Sequence, residues 1–240
     1  MLLRRADIPA VLNPLDRNAI EQAVALKEQR GGTITVITMA PPDAEDQLGE
    51  AVAMGCDSAC LLSDPAFAGA DTLATARVLA AAIARLPRFD LVFCGGYSLD
   101  GSTSNVGPQV AELLGIPDLP HAVGLDVTDR GIRAQCQVED GDAEFACDLP
   151  ALVTFDREAN TPRLPTMTGI MRAGHATTVR LSAADLGLSS DAVGLKGSPT
   201  QMLNVFTPPV GRKGEMLQGT PNELARSLLS RLRADRVLKD

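Results

Sequence analysis

Between Ser98 and Ser104 the chain gathers four hydroxyl side chains and one carboxylate, with no lysine or arginine among them. These residues lie inside Leu91 to Leu114, LVFCGGYSLDGSTSNVGPQVAELL. A short apolar run, Leu91-Val92-Phe93-Cys94, stops at Gly95-Gly96. Val106, Val110, Leu113 and Leu114 then recur at helical spacing, and Gly115 is placed to cap that helix. Strand, polar glycine loop and helix N-terminus follow one another, and the open backbone N–H groups of such a junction attract anions. A phosphate bound here is held by N–H and O–H donors rather than by a cation. The same residues also read as an ordinary strand-to-helix turn, and both readings stand at this level.

Other groups able to do bond chemistry are scarce. The two histidines, His121 and His175, lack the neighbours that a metal-ligand set or a nucleophile–base pair would need. His121 follows a proline-rich turn and reads as a loop residue rather than a base. The five cysteines, Cys56, Cys60, Cys94, Cys136 and Cys147, are odd in number and contain no CxxC, which indicates neither a disulfide frame nor a zinc site. They read as small buried residues in a reducing compartment. Such a chain is suited to binding more than to breaking bonds.

At 240 residues and 45% hydrophobic, the chain can build one large domain or a domain with an appendage. A formal charge of −8, few basic clusters and 3% aromatic residues argue against nucleic acid. The start, MLLRRADIPAVLNP, has no apolar signal region, and no run is long enough to insert in a membrane. The composition predicts a soluble intracellular protein.

The elements that must position the loop follow from caps and periodicity. Asn13-Pro14 opens a helix that ends at Gly31-Gly32, and Thr33 to Thr38 is a β-branched strand. Pro41-Pro42 break it, a helix covers Ala44 to Met54, Ala59 to Leu62 is a strand, and Thr72 to Leu86 is an alanine-rich helix. The order points to a Rossmann-like, doubly wound, mainly parallel sheet covered on both faces. Val123 to Thr128 and Ile132 to Val138 flank Asp129-Arg130-Gly131 as a β-hairpin, and Ala151 to Phe155 is another strand. Asn160 to Gly174 reads as an exposed loop. Residues 189–219 lack periodicity and read as an extended arm lying on another protein. Thr220-Pro221-Asn222-Glu223 then caps a helix with Leu224, Leu228 and Leu232 on one stripe. The organisation expected is an α/β nucleotide-binding domain over 1–188 and a C-terminal arm and helix over 189–240. A doubly wound sheet normally begins with a central strand, and no strand fits Met1 to Leu12. The expectation is that in-frame DNA upstream encodes one.

Several separated motifs resemble electron transfer flavoprotein β subunits. Ala10 to Asp16, with the helix from Ala19 to Glu28, is similar to that family's NPxD segment. Ala51 to Asp57 is similar to its ALAMGAD, and Leu99 to Gln109 to its DGDTAQVGPQ loop. Leu149 to Thr154 and Asn160 to Pro165 are similar to LPAVVT and NxPRYP. The motifs run in the family's order over nearly the whole chain.

The resemblance implies an adenine nucleotide alpha hydrolase-like α/β domain in a heterodimer with an electron transfer flavoprotein alpha subunit, which carries most of an FAD site. It implies AMP, or a second FAD, in this subunit. It also implies transfer of electrons from FAD-dependent dehydrogenases to a quinone oxidoreductase or another acceptor, in bacterial cytoplasm or a mitochondrial matrix, with no catalysis by this chain. The nucleotide contacts carried over are Asn13, Pro14, Leu15, Asp16, Met39, Ala40 and Pro41. With them go Ser98, Leu99, Asp100, Gly101, Ser102, Thr103, Ser104, Asn105, Val106, Gly107, Pro108 and Gln109. The partner-recognition loop corresponds to Leu164, Pro165, Thr166, Met167, Thr168, Gly169, Ile170, Met171 and Arg172. Departures are Ser102 for an acid, Asn105 for Gln, Met39 for Cys, Met167 for Leu, and Cys136-Gln137 for an Arg-Glu pair. The family's first strand is also missing, and a basic run after the recognition loop is thinned at Arg172 and Gly174.

Two other functions are compatible with parts of the chain. Cys94 to Asp100 superficially resembles the SGGxDS loop of ATP pyrophosphatases, although its acid comes four residues after the second glycine and the loop follows a late strand. A stand-alone nucleotide-binding stress module would explain the sheet but neither Asn160 to Leu164 nor the arm.

Overall fold

A computed structural model describes residues 10–128, 130–204, 206 and 214–238. Asp129 of the hairpin turn and residues 1–9, where no strand was found to fit, lie outside the described residues. Pro14 at the first helical position opens α1 (Pro14–Arg30), and Gly31 closes it with a φ of 78°. Alternating strands and helices follow as expected: β1 (Thr35–Met39), α2 (Glu45–Met54), β2 (Ser58–Leu62), α3 (Thr72–Ile83), β3 (Leu91–Gly95) and α4 (Val106–Leu114). Asp71 caps α3 by accepting from the Ala74 N–H at 2.9 Å. That helix ends at Ile83, and the residues up to Leu86 continue as tighter turns. Then come β4 (Asp118–Val127), β5 (Gly131–Val138), β6 (Gly141–Asp148), β7 (Ala151–Phe155), α5 (Met167–Ala173), β8 (Thr178–Leu181), α6 (Gly194–Gly197) and α7 (Pro221–Ala234).

The strands form two sheets where one continuous sheet was expected. One is parallel, in the order β1-β2-β8; the other runs β3-β7-β4-β5-β6. In the second, β3, β7 and β4 are parallel, while β4, β5 and β6 are antiparallel. Among the described residues no strand pairs with the free edge of β1 or of β3, so the hydrogen-bond ladder is interrupted there. Side chains still close the interior: Ile37 of β1 packs against the same apolar cluster as Val92 and Cys94 of β3. Helices cover the parallel strands, while β5 exposes alternate residues and β6 most of its own. In the smaller sheet, Val36, Ala59 and Leu61 face α1 and α2, while Ile37, Cys60 and Leu62 face α3, the two-residue alternation of a strand.

Strand β6 escaped the sequence reading. Its residues, GDAEFACD, carry three acids and only small or isolated apolar side chains, yet β6 pairs along all of β5. As an outer strand it needs no apolar face, and charged side chains there discourage edge-to-edge association.

The chain divides into two compact units, residues 1–202 and 203–240. The first part of the expected arm belongs to the first unit. Val193 is fully buried, the Leu195 N–H donates to the Ala68 carbonyl at 3.0 Å, and the Thr200 N–H donates to Asp71 at 2.9 Å. This stretch packs through turns and backbone hydrogen bonds, which leave no periodicity in sequence. In the second unit, Glu223 accepts from the Thr220 N–H and hydroxyl, both at 2.8 Å, at the start of α7.

The residues after β7 are tied to α1 by an ion-pair and amide network. Asn18, itself buried, and Asn160 exchange hydrogen bonds: Asn18 Nδ2 donates to Asn160 Oδ1 at 3.0 Å, and Asn160 Nδ2 to the Asn18 carbonyl at 3.0 Å. The Arg163 guanidinium forks onto Glu21 at 2.8 and 3.0 Å and onto Glu28 at 2.6 and 3.1 Å. This geometry explains the NxPR spacing. Hydrogen bonds from Arg163 hold the Glu21 carboxyl below its ordinary value of 4.5. The stability contributed by that pair is therefore present above pH 4.5 and is lost as pH falls through the depressed folded value. Arg163→Ala is expected to cost about 2 kcal/mol at neutral pH, and to lose less stability than the unmodified chain on acidification. Urea midpoints at neutral and acid pH check this; equal acid losses in both would contradict it.

Candidate functional site

The loop of residues 98–109 is built from its own backbone. Ser98 turns the chain by accepting from the Ser102 N–H at 2.9 Å and the Ser102 hydroxyl at 3.0 Å. Asp100 Oδ1 accepts from the Gly101 N–H at 2.8 Å. Ser102 and Ser104 then take left-handed φ values of 47° and 56°. Alternating backbone hand in this way turns successive N–H groups toward a common concave side, an arrangement that receives anions. The loop delivers Asn105 to the start of α4, whose first turn carries no acid and whose N-cap side chain makes no capping bond. The positive helix end is thus left open to a ligand. Gly107 is required by packing: a Cβ there would lie 2.6 Å from Thr154 Cγ2 of β7. Gly115 closes α4 in the left-handed conformation, as its position implied.

The N-terminus of α1 joins this loop. Asn13 Nδ2 donates to the Tyr97 carbonyl at 2.9 Å and to Asp16 Oδ2 at 3.0 Å, so Asn13 serves as a clasp and not as a helix cap. Asp16 Oδ1 accepts from the Gly95 N–H at 2.7 Å. Burial outweighs these hydrogen bonds and raises the Asp16 carboxyl above its ordinary value. Leu15 is buried and Pro14 exposed. Asp16 and Leu15 therefore hold the end of β3 to α1, while Asn13 keeps a buried Oδ1 with no partner among the described residues. Gln109 Oε1 is also buried and unpartnered. Hydroxyl or amino donors on a nucleotide would satisfy such oxygens, which makes the residues present a fit for an adenine nucleotide.

Met39 ends β1, and Ala40 and Pro41 follow at the edge where open parallel sheets receive ligands. Ala40 packs against the same apolar cluster as Leu12, one residue before Asn13. No hydrogen bond connects these three residues to 98–109 among those found. Leu99, Asp100, Gly101, Ser102, Thr103 and Asn105 are exposed, Ser104, Val106, Pro108 and Gln109 half-buried.

Residues 164–172 are placed apart from the loop, against α2. The exposed loop expected from Asn160 to Gly174 contains a short helix, α5, capped by Thr166, whose Oγ1 accepts from the Gly169 N–H at 3.0 Å. Seven residues are too few for helical periodicity to register, and the two threonines and the glycine disguise the cap. The helix docks through Gly169, where a Cβ would lie 2.1 Å from the Ala53 carbonyl, and through Arg172, which donates to the Val52 carbonyl at 2.8 Å. Met167, Ile170 and Met171 share the opposite side at helical spacing and, with Leu164, are exposed; Met167 is 75% exposed and Leu164 80%. Met167 does not pack into the interior.

The cysteines are poor nucleophiles. Cys56, Cys60 and Cys136 are buried and all five are free; burial pushes the Cys56 thiol up to about 12. His121 is the residue that sequence reasoning missed: it sits in β4, with Nδ1 3.1 Å from Asp156 Oδ2. Asp156 is 35 residues away in sequence, so no local signal marks the pair.

Parallel strands, a glycine-serine loop and two helix N-termini beside it define an α/β protein. Residues 1–186 match the electron transfer flavoprotein domain family. The chain is 41% identical to an electron transfer flavoprotein subunit beta of Thermoanaerobacterium thermosaccharolyticum, over 98% of this chain and 91% of that protein. It is 42% identical to subunit CarD of the caffeyl-CoA reductase–Etf complex of Acetobacterium woodii, over 98% and 90%. It is 37% identical to protein FixA of Bradyrhizobium diazoefficiens, over 95% and 82%. The chain belongs to the electron transfer flavoprotein family, and its function is that of the beta subunit. This assignment displaces the ATP pyrophosphatase and stress-module readings.

Proposed function

We propose that this chain pairs with an electron transfer flavoprotein alpha subunit and holds AMP, or the ADP portion of a second FAD, on residues 98–109 and the N-terminus of α1. The pair carries electrons from FAD-dependent dehydrogenases to a quinone oxidoreductase or another acceptor, and this chain itself breaks no bonds. The observation that carries the reading is the clasp of Asn13 on the Tyr97 carbonyl, which brings the α1 N-terminus to the head of an anion-receiving loop and leaves the buried Asn13 Oδ1 without a partner among the described residues. Flavin, where bound, supplies the electron chemistry. The chain's residues position: loop N–H groups and hydroxyls orient phosphate, and helix ends contribute about 0.3–1 kcal/mol each without requiring a lysine. Met39, Ala40 and Pro41 line the sheet edge beside the nucleotide.

Leu164, Pro165, Thr166, Met167, Thr168, Gly169, Ile170, Met171 and Arg172 form the docking element for dehydrogenases, with Thr166, Gly169 and Arg172 fixing the helix and the apolar residues making contact. Helix α7 engages the alpha subunit. No helix among the described residues is long and apolar enough to cross a membrane. A cytoplasmic location is part of the proposal. Denaturing the purified pair and analysing the released small molecules by mass spectrometry tests the nucleotide site. AMP, or FAD beyond one per pair, is expected; neither would contradict the reading.

A further inference from the structure

Beside the loop lies a cavity of about 500 Å³ whose walls include Tyr97, Ser104, His121, Asp156 and Arg157. His121 reaches it from an unusual backbone. Its φ is 53°, a left-handed conformation that histidine adopts infrequently, and β4 changes register between Leu119 and Ala122 around it. Two contacts fix it there. Its N–H donates to Thr154 Oγ1 at 2.9 Å, and both oxygens of Asp156 lie 3.1 and 3.2 Å from Nδ1.

The same two partners abut both ends of the loop. Thr154 lies directly beneath Gly107, in the first turn of α4. At the other end, a Cβ on Gly96 would fall 2.6 Å from Asp156 Oδ1 and 3.4 Å from His121 Nδ1. The loop from Ser98 to Ser104 carries no cation, and the imidazole lies beside Gly96 at the head of the loop.

We propose that His121 is a further phosphate-contacting residue: Nε2–H donates to a phosphate oxygen of the nucleotide on residues 98–107 while Asp156 accepts from Nδ1–H. The inference rests on the nucleotide reading above. Proton counting makes it specific. An imidazole with one proton keeps it on Nδ1 against Asp156, which leaves Nε2 an acceptor facing phosphate oxygens that are also acceptors. The contact requires both nitrogens protonated, so binding above the ordinary imidazole range takes up a proton. The other ionisable groups facing the ring are Asp156, Glu158, Arg157 and Tyr97 around the cavity, and Asp118, which feels the imidazole charge.

The test titrates AMP into the nucleotide-depleted pair with its alpha subunit, by calorimetry at pH 8, in two buffers of different ionisation enthalpy. Wild type is expected to take up a measurable fraction of a proton per AMP. His121→Asn keeps a residue that tolerates the left-handed backbone; it is expected to melt as wild type does, bind AMP about tenfold more weakly, as loss of a charge-assisted bond implies, and take up none. Asp156→Asn is expected to fall between them. A His121→Asn chain with unchanged affinity and uptake would overturn the proposal. Absence of uptake in wild type would overturn it even if the variant misfolds. A wild-type pair that binds neither AMP nor FAD would instead remove the nucleotide reading on which it rests.

Discussion

A chain ended after Gly219 is expected to fold as its larger unit and to fail entirely to co-purify with an alpha subunit. The deleted residues contain α7, whose Leu224, Leu228 and Leu232 repeat every four positions and lie on one stripe, with Arg226 and Arg233 on the opposite side. None of its residues is buried; Leu228 is 50% exposed. A two-sided helix of 14 residues with a good capping box is marginal unless its apolar side is covered. The larger unit does not rely on it for its interior: the four apolar clusters contain no residue beyond Val193. Co-expression followed by affinity capture of the alpha subunit and a melting curve of the truncated chain checks both halves. A truncated chain that still forms the flavin-containing pair would contradict the role given to α7.

The second large effect is expected at Met167. Its side chain projects from the first position of α5, and the helix beneath it is fixed by Thr166, Gly169 and Arg172 rather than by Met167 itself. Electron-transfer encounters use small interfaces, so a single anchor can dominate them. Methionine also adapts to irregular pockets, which suits a carrier that meets more than one dehydrogenase. Met167→Ala is therefore expected to raise the apparent KM of a reducing dehydrogenase for the pair about thirtyfold, the equivalent of roughly 2 kcal/mol. The flavin spectrum and melting temperature are expected to stay nearly unchanged. A variant that loses several degrees of stability and keeps its KM would assign Met167 to the core.

Much of this architecture was legible before the structure. Caps and β-branched runs located α1 through α4, because local preference and burial agree there: Pro14 opens a helix, Gly31 ends it, and Val36 and Ile37 face opposite layers. What stayed hidden depends on distant partners. β6 is strand-like only because β5 is beside it, and α5 is held by the Val52 and Ala53 carbonyls. The interruption between β1 and β3 leaves no mark in the pattern of either strand. At the site, the loop could be read from its glycine, hydroxyl and helix-start spacing. The inward turn of Asp16 could not, since its target is the Gly95 N–H, 79 residues away. His121 was assigned to a loop because nothing local indicates a bulged strand with Asp156 behind it.

The proposed role of this chain is to complete a flavin-carrying pair. Its most direct test is the visible spectrum of the chain co-expressed with an electron transfer flavoprotein alpha subunit, recorded before and after addition of a dehydrogenase and its substrate. A flavin band that depends on both subunits, bleaches on addition of the dehydrogenase and returns with an electron acceptor is the predicted result. A purified pair that retains no flavin, or a band that the dehydrogenase never bleaches, would contradict the account.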